Sequence, residues 1–182
     1  MRRLALLSLT AVALFSGAAQ ADEAFDSFRN FCVAGRAAAA PALAAADAAG
    51  WSPVPAEQLA QPGMQNANGR MKATGGGGAL VLLTATTTSP QLGNSRMCLI
   101  GVVPAGASDL AGQLAAFAAV PRQTNAELPD GFYAWQGANG AHVSVQGGTP
   151  DYATQFKSGA ALVAAIRNLP QMTMIVLTAA AQ

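Results

Sequence analysis

Cys32 and Cys98 are the only two cysteines in the chain, and they limit its folding more than any other pair of residues. In a reducing compartment they would be two buried thiols. In an oxidising one an even count implies a bridge. A redox pair is the third reading, but such pairs are normally C-x-x-C, and these two lie far apart. A bridge over so long a loop stabilises a chain by roughly 3–5 kcal/mol. It would also fix an early segment against a central one, so the compartment has to be read first.

The N-terminus supplies it. Met1-Arg2-Arg3 places two positive charges ahead of an apolar run from Leu4 to Phe15, which only Ser8 and Thr10 interrupt. Ser16, Gly17 and Ala18 follow, then the small-x-small triplet Ala19-Gln20-Ala21. Basic region, short apolar region and cleavage site stand in the order of a secretory signal peptide. A membrane-spanning helix needs about 20 apolar residues, and this run is much shorter. A lipoprotein is disfavoured because no cysteine directly follows the run. The expectation is a signal at residues 1–21, cleaved after Ala21, and a single domain over residues 22–182. That domain would be periplasmic or secreted, with no membrane span after cleavage, and Cys32 and Cys98 would form a structural disulfide.

Losing Arg2 and Arg3 turns the formal charge of +1 into −1. Neither value provides the basic patch that nucleic acid or an anionic membrane surface requires, so no nucleic-acid partner is expected. Charged residues make up 10% of the chain, against about 25% in an average soluble domain. A surface so weakly repulsive favours self-association or a partner.

Local patterns divide the chain in two. Phe25, Phe28 and Cys32 fall on one stripe of a helix predicted from Asp22 to about Gly35, with Asp22, Glu23 and Asp26 favourable near its N-terminus. A second helix starts around Pro41 and stops at Gly50, since proline suits a first turn. Trp51-Ser52-Pro53-Val54-Pro55 is an extended connector whose tryptophan packs back on the body. From Gly69 the period becomes two. Strands are predicted over 70–74, 79–88 and 96–103, with Gly75 to Gly78 as a turn, and Cys98, Ile100 and Val102 share the core face of the third.

A helix capped by Ser108 or Asp109 carries Leu110, Leu114 and Phe117 on one side and ends before Pro121. Segments 132–136 and 142–146 flank Ala138-Asn139-Gly140, a hairpin signal. Segments 161–167 and 172–178 form a last hairpin around Asn168-Leu169-Pro170-Gln171, although the alanines of 161–167 leave a helix open. The fold class is α+β: N-terminal helices and a mainly antiparallel sheet with one inserted helix, stapled by the disulfide.

Chemistry-bearing residues are sparse. His142 is the single histidine, and with both cysteines bridged the ligands for a zinc site are missing. His142 shares a predicted strand face with Ser144 and Gln146, opposite Val143 and Val145, and reads as an exposed polar residue. A catalytic base needs a positioned partner; no G-x-S-x-G elbow exists, and Asp130 and Asp151 both follow prolines in turn contexts. The glycine run lacks the order of a phosphate loop, because Lys72 precedes it and a strand follows. Arg70 and Lys72 share a strand face, a candidate anion site or a charged edge that discourages strand addition. Met172 to Leu177 is a strong β former, suited to a core or edge strand or to strand addition.

The signal ending in Ala19-Gln20-Ala21, Phe31-Cys32 on an early helix, Gly50-Trp51 after an alanine-rich helix and Met97-Cys98 on a strand together resemble small exported proteins of Gram-negative bacteria. The resemblance implies a bacterial exported protein and carries no activity, cofactor or site residue. The function expected is a non-catalytic binding or interaction module for a small-molecule or protein partner, with no catalytic, metal or cofactor-binding residue assigned. The alternatives are a small hydrolase using His142 with a serine or acid, and an envelope assembly component using an exposed strand.

Overall fold

In the computed structural model the described residues are 16–59, 63–89, 92–105, 109–125, 128, 130–137 and 141–181. The charged and apolar parts of the proposed signal up to Phe15, Ser108 as an alternative cap, and the Asn139-Gly140 turn lie outside them.

The described part begins with α1 (Ser16–Ser27), which passes directly into a π-helix (Phe28–Val33), and continues through α2 (Ala39–Ala48). Gly50, at φ +77°, ends this helical part, as a residue without a Cβ readily does. After β1 (Ser52–Pro53) and the single turn α3 (Ala56–Leu59) come β2 (Gln65–Ala73), β3 (Ala79–Ser89) and β4 (Gly93–Val103). Then follow α4 (Leu110–Ala118), β5 (Phe132–Gln136), β6 (Val143–Ser144), α5 (Pro150–Lys157), β7 (Ala161–Leu169) and β8 (Met172–Ala180).

The eight strands form one antiparallel sheet in the order β1-β2-β3-β4-β8-β7-β5-β6. The α+β class with a mainly antiparallel sheet therefore stands. Segment 161–167, open between strand and helix, is a strand paired on both sides, with β5 and with β8. Strand β8 lies between β4 and β7, so the β-forming run at 172–177 has its backbone already paired on both edges.

Register decides what each face carries. Leu82, Ile100 and Ile175 stand in line across β3, β4 and β8, all fully buried. This face meets α1, the π-helix, α2 and α4, and the main core collects there with Phe28, Leu114 and Trp135. Trp51 packs back as expected, edge-on to Phe31 at 5.3 Å. The predicted core face of β4 is correct: Cys98, Ile100 and Val102 are all fully buried.

The opposite face is covered in part. Helix α5 lies over one end, where Phe132, Phe156 and Val163 form a second, smaller cluster. At the β2 edge Leu59 sits so close over Gly69 that a Cβ there would meet it at 3.0 Å. Between these covers Val81, Leu83, Met174 and Val176 stay half-buried.

Helix α5 corrects the sequence reading, which took Pro150-Asp151 as a turn and counted one inserted helix. Thr149 accepts from the Tyr152 N–H, Pro150 opens the first turn with Asp151, and Lys157 stands in the last. Those are full start and stop signals. Among the described residues, no helix is long and apolar enough to cross a membrane.

Candidate functional site

The π-helix is the departure from regular geometry on which the site is built. Such helices are rare, occur mostly as single turns, and are frequent at functional sites. Its wider turn sends Phe28, Phe31 and Cys32 into the core, while Arg29, Asn30 and Val33 face a cleft. Cys32 is bonded to Cys98 of β4 with a Cα–Cα distance of 5.4 Å, so the expected disulfide anchors this segment to the sheet.

Directly after the π-helix, Arg36 and Ala37 take left-handed backbone angles, φ +48° and +60°. Each costs a non-glycine residue of order 1–3 kcal/mol. The turn is held from two sides: the Arg36 guanidinium donates to the carbonyls of Gly159 and Ala160, and Arg96 Nε donates to the Arg36 carbonyl at 2.9 Å. Ala37 is itself buried, at 1% exposure.

His142 closes the other side of the cleft, and its surroundings correct the expectation of an exposed residue. It is half-buried, with its ring 5.1 Å from Phe117 and 5.0 Å from Trp135. The β5–β6 ladder holds only two residue pairs, Trp135↔Ser144 and Gln136↔Val143. Residue 142 therefore lies outside the strand alternation, and Val143, not the histidine, is the exposed one, at 57%. The His142 Nδ1 faces the Ala118 carbonyl at 3.0 Å. As the hydrogen-bonded proton must sit on Nδ1, the ring satisfies an end carbonyl of α4. Ala119, the next residue, is left-handed at φ +51°.

The cleft so enclosed has a volume of about 340 Å³. Trp135 and Leu162 form its floor, Phe117 and His142 one wall, and Arg29, Asn30 and Arg36 its rim. Arg29 lies over the Phe117 ring, 5.9 Å from the centroid. No carboxylate lines the cleft among the described residues; the Asp26 carboxylate approaches Arg29 from outside, at 3.8 Å.

The other sequence-selected residues serve the frame. Arg70 is bonded to Asp47 of α2 at 2.5 Å, and Lys72 to Glu23 of α1 at 2.6 Å. The pair considered as an anion site instead ties two helices to β2. The Asp47 carboxyl is held below its ordinary range by that hydrogen bond from Arg70. His142, Asp130 and Asp151 are not brought together: Asp130 sits in the turn before β5 and Asp151 in α5. No serine or acid hydrogen-bonds His142 among the described residues, and no group of three metal-ligating side chains occurs there.

Sequence reasoning missed Arg29, Arg36 and Phe117 as cleft residues. Phe117 was assigned to the core stripe of its helix, and no periodic signal marks a π-turn or a left-handed arginine. A comparison with known proteins finds no matching family model, no matching curated protein and no matching solved structure.

Proposed function

We propose that this protein is an exported, non-catalytic binding module, periplasmic or secreted, whose ligand site is the cleft beside the π-helix. The observation that carries the reading is a convergence. The π-helical turn and the left-handed Arg36 line one hollow together with aromatic rings, and the left-handed Ala37 and Ala119 lie one and two residues along the chain from the lining residues Arg36 and Phe117. Strained backbone persists only where surrounding structure fixes it, and it clusters at ligand sites. Among the described residues no serine or acid hydrogen-bonds His142, which favours binding over hydrolysis.

Export is supported by the leader pattern and by the Cys32–Cys98 disulfide, which an oxidising compartment accounts for. Asp22 accepts from Gln113 Nε2 at 2.7 Å, and Glu23 pairs with Lys72. A chain cut after Ala21 would therefore begin with two residues already tied to α4 and β2. Ala21 itself is 1% exposed within α1, so cleavage has to precede folding, as it does during translocation.

One preparation tests both parts. The chain is expressed with its own N-terminus, recovered from the extracytoplasmic fraction, sequenced from its N-terminus and screened against a fragment library by NMR. The expected result is a sequence starting at Asp22 and fragment hits that shift Phe117, Trp135 and His142. An intact N-terminus, or recovery only from the cytoplasm, removes the export reading. Hits clustered elsewhere, or none, remove the site.

A further inference from the structure

Resting on that site reading, we infer that the ligand is a small organic anion with an aromatic body: an aryl or arylalkyl carboxylate. Three features select this class.

The first is charge. Arg29 and Arg36 both stand at the rim and no carboxylate lines the cleft among the described residues, so the local field is positive although the chain as a whole is nearly neutral. The Arg36 guanidinium is engaged with two backbone carbonyls and acts through its charge. Arg29 is the hand that grips. Its only ion-pair contact among the described residues is Asp26 at 3.8 Å, with the two side chains 54% and 68% exposed. A pair so open to water holds its arginine weakly, and a guanidinium offers a planar fork that matches a carboxylate.

The second feature is the wall. Phe117 and His142 are half-buried and rest on Trp135, Phe117 edge-on at 6.1 Å. Rings fixed by other rings present flat surface at little cost in side-chain freedom, and a ligand ring meets them in edge or offset geometry. The third is size. A volume near 340 Å³ is at the lower end of small-molecule sites, roughly 300–1,000 Å³, which suits one or two rings rather than a chain or polymer.

The test uses two bodies, phenylpropyl and naphthylmethyl, each as carboxylate, amide and amine, titrated into the exported protein. Aromatic NMR signals of Phe117, Trp135 and His142 report the cleft, and those of Tyr152 and Phe156 report the hollow on the other face. The carboxylates are expected to shift the cleft signals with Kd values about tenfold or more below those of the matched amides, and the amines to shift nothing. Arg29→Gln, a change at an exposed position, is expected to remove most of the carboxylates' advantage over the amides, the charge of Arg36 keeping the remainder, without altering the thermal midpoint.

Amides or amines binding the cleft as tightly as the acids overturns the ligand class and leaves the site reading standing. Carboxylate affinity retained in Arg29→Gln overturns the role of Arg29 and, with it, this inference. Cleft signals unmoved by all the probes at millimolar concentration overturn both the inference and the site.

Discussion

Two hollows of similar size lie on opposite faces of one sheet, about 340 Å³ beside the π-helix and about 310 Å³ under α5. The second is lined by Leu92, Phe132, Tyr152, Phe156 and Val163, and its covering helix is regular, with a side-chain cap and a proline start. Among the described residues, no left-handed non-glycine residue and no charged side chain lines it. The first is bounded by a π-turn, left-handed residues and two arginines. Size does not distinguish the two hollows. The strained backbone and the two arginines beside the first do.

The sharpest way to break this contrast is to empty each side in turn. Trp135 is 1% exposed and Phe156 fully buried, so Trp135→Ala and Phe156→Ala should each cost about 3–5 kcal/mol, read by denaturant unfolding. Only the tryptophan change should abolish carboxylate binding. Equal loss of binding in both variants would mean that the cleft merely follows global stability.

The disulfide is next. Reducing it, or making Cys32→Ser with Cys98→Ser, should lower stability by roughly 2–5 kcal/mol. Because Cys32 lies inside the π-helix, amide exchange should rise there more than in α5. Uniform acceleration over both regions would show that the bond stabilises the whole fold rather than the cleft.

A smaller effect isolates the histidine. His142→Phe keeps a ring against Phe117 and Trp135 but removes the bond to the Ala118 carbonyl, at an expected cost of about 1 kcal/mol. The same loss on making His142→Ala would mean that ring packing contributes nothing.

The smallest concerns the tether between α2 and β2. Asp47 has its folded-state pKa lowered chiefly by the Arg70 hydrogen bond, with the arginine charge acting the same way and burial opposing both. Its contribution is therefore present above the unfolded value of about 3.9 and lost as pH falls through the lowered one. Asp47→Asn should trail the parent in thermal midpoint at neutral pH by a small margin, and the two should converge below that range. A gap that persists in acid would assign the effect to packing.

The legibility of this fold differed from one element to another. The core face of β4 was plain because alternation along a long strand is local information. Helix α5 is equally written, in Thr149, Pro150, Asp151 and Lys157, but a Pro-Asp pair is also a turn signal and the two cannot be told apart locally. The exposure of His142 does not follow from strand alternation, because the β5–β6 ladder holds only two pairs and residue 142 lies outside it. Arg70 and Lys72 were rightly placed on one face, while their partners Asp47 and Glu23 came from helices whose docking no strand pattern encodes.

From its residues alone, this chain determines the helical first part, the two-residue period that follows and the pairing of its two cysteines. Each depends on neighbours in sequence or on a count. Tertiary structure alone decided the cleft. Arg29 and Arg36, Phe117, Trp135 and His142 come from four separate segments, and they meet only because sheet register, a π-turn and the Cys32–Cys98 bond bring those segments to one place.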